Sequence, residues 1–323
     1  MKPAKLLTAA ALLSTLSILT FSTSAQNTPA PAASAGPCMA RYTGPGKNPP
    51  ARWDDIFWEN DKIAHRIYGP AVSRPAPDGE GLVSSGIDVW VKNVRTPFMD
   101  KQLMSGKQHD FHGEGQDCYD TGKTRGCGGL GIWDDASKKL INSRNWAECY
   151  ILKNGPDVAS FRVHYDNWDI GNGRIVDETR TFSLPAGSNL TRLVSTINSN
   201  KPEDILVGIG ITKRRNGVKN QANGVYEGEG SWIQDKEKGL MIYWEPEQKP
   251  NGTTGIAVVV DPASIVKFVN DSPDENLVIV KVTPGKPWVY YTGACWSKGL
   301  DFHTDKEWET YVRGFKAEFD ATK

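Results

Sequence analysis

Residues 159–184 read ASFRVHYDNWDIGNGRIVDETRTFSL, and the period of this stretch decides the fold. Phe161, Val163 and Tyr165 alternate with Arg162, His164 and Asp166, a two-residue repeat that sends one set to each face of a β-strand. Ile170-Gly171-Asn172-Gly173 then supplies the residues of a tight turn, after which GRIVDETRTFSL resumes as a strand. The pattern predicts a β-hairpin. Its polar positions, Arg162, His164, Asp166, Glu178 and Arg180, carry charge where threonine and serine are commoner. Two roles suit them: the lining of a concave binding surface, with His164 touching substrate, or a solvated face laced with cross-strand ion pairs.

The same reading extends in both directions. In SSGIDVWVKNV (84–94), Ile87, Val89 and Val91 oppose Asp88, Trp90 and Lys92. NLTRLVSTINS (189–199), ILVGIGITK (205–213), GLMIYW (239–244), GIAVVVD (255–261), NLVIVKVT (276–283) and PWVYYTG (287–293) follow, with Gly, Asn, Pro and Asp in the gaps. Helical spacing appears only at the end. There, Thr304 and Glu307 make a capping box, and Trp308, Tyr311, Val312, Phe315 and Phe319 form one apolar stripe. No internal repeat is present. The chain is therefore expected to be all-β, a large β-sandwich with a C-terminal amphipathic helix docked on a sheet.

The N-terminus reads differently. Lys2 and Lys5 precede an apolar run, and Thr23-Ser24-Ala25 suits cleavage before Gln26, so 1–25 is expected to be a secretory signal. Residues 26–37 read as a flexible Pro/Ala/Ser leader and 38–323 as a single domain. The location expected is periplasmic or secreted. The 38 basic and 38 acidic residues cancel, which gives no global attraction to nucleic acid or to an anionic membrane. Export permits disulfides, but Cys38, Cys118, Cys127, Cys149 and Cys295 are odd in number; one of Cys118 and Cys127 could staple the loop that holds both.

That loop, HDFHGEGQDCYDTGKTRGCGG (109–129), carries the candidate chemistry. Within eleven residues it holds His109, His112, Glu114, Asp117 and Tyr119, a set able to bind a metal or to act as general acid and base on a polar substrate. Two histidines favour a transition ion and the carboxylates alone favour Ca²⁺, so a divalent cation is a possible cofactor. Arg125 in the same loop and Arg66 in RWDDIFWENDKIAHRIYGPAV (52–72) match a carboxylate with their guanidinium forks, although Glu59 or Asp61 would equally serve as an ion-pair partner for Arg66. Trp58, Tyr291 and Trp296 are candidate sugar platforms. Glu227 and Glu229 offer a second carboxylate if their loop faces the cluster.

Taken in order, DDIFWENDKIAHRIYGPAV (54–72), SSGIDVWVKNV, HDFHGEGQDCYDTGKTRGCGGLGIW (109–133) and YYTGACW (290–296) resemble the exported bacterial family known as the domain of unknown function DUF4861. The resemblance spans almost the whole mature chain. It implies a galactose-mutarotase-like supersandwich and a place among proteins that degrade plant or algal polysaccharides, but it carries over no catalytic residues. A polysaccharide or oligosaccharide substrate is expected. The leading expectation is β-elimination from a uronic-acid-containing, pectin-like glycan: Arg66 or Arg125 neutralises the carboxylate, His109 or His112 takes the proton, and Tyr119 protonates the leaving oxygen. The alternatives are a glycoside hydrolase using Glu114 and Asp117 (or Glu227), a mutarotase, or a non-catalytic sugar-binding protein.

Overall fold

The computed structural model describes residues 36–42 and 54–323; the expected signal segment and nearly all of the leader lie outside them. Strands dominate, in antiparallel sheets. An N-terminal sheet runs in the order β1 (Met39–Tyr42), β2 (Ile56–Glu59), β3 (Ala64–Ile67), β4 (Ile87–Lys92) and β5 (Gly115–Gln116). A second five-stranded sheet contains β6 (Cys127–Asp134), β7 (Lys139–Ile141), β12 (Ile205–Thr212), β18 (Ile265–Val269) and β19 (Glu275–Val282). The eight-stranded sheet is built from β8 (Glu148–Asn154), β9 (Val158–Asp169), β10 (Ile175–Pro185), β11 (Leu190–Ser199), β14 (Ser231–Asp235), β15 (Leu240–Trp244), β17 (Thr254–Val260) and β20 (Trp288–Trp296). A small ribbon pairs β13 (Val225–Glu227) with β16 (Glu247–Lys249).

Alternation explains how these layers meet. Phe161, Val163, Phe182, Leu193, Ile256, Val258 and Tyr290 leave one face of the eight-stranded sheet. They join Trp58, Val89, Leu130, Ile132, Val207 and Ile209 from both five-stranded sheets in one buried cluster. The molecule is thus a large β-sandwich, with the eight-stranded sheet as one layer and the two smaller sheets side by side as the other. Those two meet where Ile87 bridges Gly126, at a spot that only glycine fits: φ is +62°, and a Cβ would lie 2.2 Å from the Ile87 carbonyl oxygen.

The opposite face of the eight-stranded sheet presents Leu190, Ile242, Ala257, Val259 and Tyr291 to Trp308 and Val312 of the C-terminal helix α2 (Asp305–Gly314). Its capping box forms as the sequence indicates, with Thr304 accepting from the Glu307 amide and Glu307 accepting from the Thr304 amide. The helix stops at Gly314, so Phe315 and Phe319 pack edge-on against Tyr291 from its cap and the tail beyond. A short helix α1 (Met99–Met104) covers the outer face of the N-terminal sheet over Phe57, Trp90 and Ala64. Glu59 anchors its start by accepting from the Phe98 and Met99 amides and from Lys92 Nζ at 2.8 Å. No helix among the described residues is long and apolar enough to cross a membrane.

The hairpin of β9 and β10 forms as expected, but its charged residues do not share a surface. Glu178 and Arg180 alternate in phase with Val176, Phe182 and Leu184, and therefore point into the core. There Arg180 donates to both Glu178 oxygens at 2.7 and 2.6 Å, and Ser195 adds a third bond at 2.7 Å. Arg162, His164 and Asp166 take the outer face, so the concave surface imagined from the sequence is split between two sides of one sheet. The cysteines also differ from expectation: all five are free thiols, Cys118 and Cys127 included.

Candidate functional site

β3 and β4 send Arg66, Asp88 and Trp90 toward the outer side of the N-terminal sheet, Asp55 just before β2 and Tyr68 just after β3 stand beside Arg66, and the 107–124 loop folds over them. Short-range bonds shape that loop. Gln102 on α1 donates to the carbonyls of Gln108 and Asp110 at 2.9 and 2.7 Å, and the Asp117 amide donates to Gln108 at 2.9 Å. Further along, the Cys118 carbonyl accepts from Asn220 and Gln248 at 2.8 and 2.9 Å. These tethers bring Asp117, Tyr119, Asp120 and Thr121 opposite Arg66 and Tyr68. Together with Glu80 and Gln221 they line a polar pocket of about 210 Å³.

Arg66 is the centre of its charge. Its Nη2 lies 2.6 Å from Asp88 and 3.6 Å from Asp117, and Nη1 lies 4.0 Å from Asp55. Aromatic rings hold the guanidinium, with Tyr68 at 5.1 Å and Trp90 at 5.6 Å. Nε and Nη1 make no hydrogen bond within the protein. A buried donor left open is costly, so such a group marks a place where a ligand or water completes the set.

Behind the pocket stands a second arginine. Arg214 lies 4.3 Å from the Tyr119 ring centroid, binds Glu245 at 2.5 Å and donates to the Asp120 carbonyl at 2.6 Å. Burial pushes the Tyr119 phenol well above its ordinary range, more strongly than Arg214 pulls it down. Tyr68 moves the same way for the same reason, and burial also raises Asp120. The Tyr119 hydroxyl, facing Thr212, makes no hydrogen bond of good geometry. Both phenols therefore stay protonated at neutral pH, able to give a proton rather than take one; Tyr68 and Tyr119 line the pocket, with the Tyr119 hydroxyl buried at its inner wall toward Thr212.

His109 stands at the rim beside Asp117. Its Nδ1 is 2.9 Å from the Asp117 carbonyl and 3.6 Å from the Asp117 carboxylate, while Nε2 lies 3.3 Å from the Gln108 amide nitrogen. A carbonyl only accepts, so Nδ1 is the nitrogen that donates to Asp117.

Other residues singled out from sequence lie elsewhere. His112 is exposed and turns back on its own loop, 3.1 Å from the Lys107 carbonyl. Glu114 pairs with Lys101 at 2.9 Å on the surface. The cluster expected to hold a metal is thus reduced to the contact of His109 with Asp117. Among the described residues, no group of three or more His, Cys, Asp or Glu is placed to hold a metal ion. Arg125 is buried at the outer face of the second five-stranded sheet, with Glu275 accepting from its amide at 2.7 Å and Asn142 from its guanidinium. Trp58 is core, donating to Thr191 at 3.0 Å and stacked on His65. Tyr291 is buried under the C-terminal segment with its hydroxyl donating to the Glu318 carbonyl at 2.8 Å. His164 sits on the outer face of the eight-stranded sheet, 3.7 Å from Asp166. Glu227 pairs with Lys249 at 2.7 Å in the small ribbon. Neither Glu59 nor Asp61 is the partner of Arg66.

Sequence reasoning assigned no role to Asp55, Asp88, Asp120, Arg214 or Glu245. For Asp88 a signal existed, since a charged residue directly opposite Arg66 on adjacent strands is a cross-strand partner once register is known.

The protein P7 of Formosa agariphila, which carries no assigned function in its name, is 29% identical over 289 residues, covering 86% of this chain and 67% of that one. The galactosidase domain of the α-galactosidase–sucrose kinase AgaSK superposes with a TM-score of 0.34 at 6% identity, over 80% of this chain and 42% of that one. The model of the domain of unknown function DUF4861 matches residues 20–322, and the chain belongs to that family.

Proposed function

We propose that this protein is a carbohydrate-active enzyme acting outside the cytoplasm, and that it cleaves a uronic-acid-containing glycan by β-elimination in the Arg66 pocket. The observation that carries this reading is the convergence of Arg66, Asp117 and Tyr119 on one pocket, with two guanidinium nitrogens of Arg66 open. Elimination needs a cation for the uronate carboxylate, a base for the C5 proton and an acid for the leaving oxygen. Arg66 meets the carboxylate, which stabilises the enolate-like transition state. Asp117, steadied by His109, takes the C5 proton. The C4–O bond breaks as the C4=C5 double bond forms, and Tyr119 gives its proton to the departing oxygen. Arg214, in contact with the Tyr119 ring, stabilises the phenolate that remains until the proton returns from Asp117.

A second reading has its own observation. Carboxylates outnumber guanidinium groups here, with Asp55, Asp88 and Asp117 around Arg66 and Glu80 and Asp120 at the wall. An acidic pocket repels a uronate and suits a neutral sugar, on which Asp117 and Asp120 would act as the carboxylate pair of a hydrolase. Incubation with uronate and neutral oligosaccharides separates the two. Elimination gives an ultraviolet-absorbing double bond from the uronate alone, whereas hydrolysis gives new reducing ends without absorbance. A uronate panel that yields neither sinks the first reading.

A further inference from the structure

On the other side of the strand β5 lies a second cleft of about 430 Å³ whose lining is mainly apolar. Gln116 lines it, and the next residue, Asp117, lines the Arg66 pocket, so one extended segment separates the two hollows. Phe111, at the tip of the same loop, is 50% exposed although it is flanked by the polar Asp110 and His112. Its ring leans on Trp296 with centroids 6.0 Å apart. Trp296 is fixed in turn by donating to the Asn251 carbonyl at 2.8 Å. Polar groups surround this aromatic floor: Asn93, Asn251, Lys298 and Gln116. Gln116 is buried, and its Nε2 donor, near the Cys118 thiol, makes no hydrogen bond of good geometry in the protein.

We propose that this cleft is a sugar-binding subsite, taking a pyranose ring of the glycan held by the protein. The pairing of an exposed ring with amide donors and acceptors matches a pyranose, whose C–H face is apolar and whose hydroxyls ring its edge. The volume lies within the range of small-molecule sites and holds one sugar unit with room to spare. Phe111 supplies the stacking face, the Gln116 amide gives a proton to a hydroxyl or ring oxygen, and Lys298 favours a sugar that carries a carboxylate. The subsite rests on the carbohydrate reading above but not on the reaction assigned there.

Titration calorimetry with tetragalacturonate and with galactotetraose tests it, using the mature chain, Phe111→Ala and Tyr150→Ala. Phe111 stands on the surface, so its removal leaves the fold intact; Tyr150, an exposed aromatic on the eight-stranded sheet, controls for adventitious stacking. At least one oligosaccharide is expected to bind the unmodified chain, Phe111→Ala to weaken that binding about tenfold, and Tyr150→Ala to leave it unchanged. Equal affinity in the unmodified chain and Phe111→Ala overturns the subsite, as does failure of both oligosaccharides to bind. Ultraviolet absorbance in the same mixtures keeps the two ideas apart: Phe111-dependent binding without product upholds the subsite and removes elimination from tetragalacturonate.

Discussion

Arg180 and Arg66 are both buried arginines among carboxylates, and they differ in stoichiometry and in what lies beside them. Arg180 meets one carboxylate through two parallel bonds and stacks between Tyr165 at 5.1 Å and Phe182 at 5.8 Å. One charge meets one, and although Nη1 of Arg180 also lacks a hydrogen-bond partner, aromatic rings fill the space around it. Arg66 meets three carboxylates at 2.6, 3.6 and 4.0 Å and borders a pocket of about 210 Å³. A balanced ion pair in a filled core is an element of structure, weakly stabilising at best once desolvation is counted. An unbalanced cluster beside an empty volume stores electrostatic free energy that a ligand can release, and this is the physical ground for treating Arg66, and not Arg180, as part of a site.

The largest expected effect breaks the closed pair. Arg180→Ala strands the Glu178 carboxylate in the core and should cost about 3–5 kcal/mol, read from urea unfolding. Replacing both partners, Glu178→Leu with Arg180→Met, removes two desolvation penalties together and should recover most of that loss. If the double variant is as unstable as the single one, the pair contributes specific bonding that the closed-pair view lacks.

His65 extends the comparison to the other side of the strand that carries Arg66. Its ring stacks on Trp58 at 5.2 Å, Nδ1 lies 3.1 Å from the Asp88 carbonyl, and burial lowers its pKa to about 4 from the ordinary 6.5. The unfolded chain therefore binds one more proton than the folded one between those two values. Stability is full above about pH 6.5 and falls as pH drops toward 4, by about 3 kcal/mol across the window. In a series of unfolding curves, His65→Gln should lose that share of the acid sensitivity. An unchanged pH slope would show that the histidine is hydrated or charged in the fold.

Tyr119→Phe sharpens the open side. The hydroxyl makes no good hydrogen bond in the protein, so removing it should leave unfolding within about 1 kcal/mol of the parent. Turnover should fall roughly a hundredfold or more, because the variant lacks the proton donor. Full activity in Tyr119→Phe would move the acid to Asp120, whose carboxyl burial also raises.

What the sequence revealed divides along the same line. Ile87, Val89 and Val91, the hairpin at Gly171, and the Thr304–Glu307 cap were legible because period and local bonding determine them. Glu178 and Arg180 are the exception: their charge suggests a surface, but their phase with Val176 and Phe182 directs them into the core. Arg214 was hidden for another reason. Lys213-Arg214-Arg215 reads as a solvated basic run, and its outer members do reach the surface groups Asn270 and Asp274, while the middle one turns in to Glu245. Within the 109–129 loop, composition announced a site but not which side chains face it. That choice is made by tertiary partners far from the pattern, Lys101 for Glu114 and Arg66 for Asp117.

The smallest expected effect tests that last distinction, between two histidines three residues apart. His109 touches Asp117, with Nδ1 donating to its carbonyl, whereas His112 is exposed and bonded only within its own loop. His112→Ala and Glu114→Gln should therefore leave turnover within about twofold and unfolding unchanged, because surface contacts of this kind contribute little. His109→Ala frees the side of Asp117 that the imidazole restrains and should slow turnover with KM nearly constant, since the ring does not line the pocket. If His112→Ala instead abolishes activity and His109→Ala does not, the loop must close differently over substrate. The general base then belongs to its exposed arm, and Asp117 returns to being only the partner of Arg66.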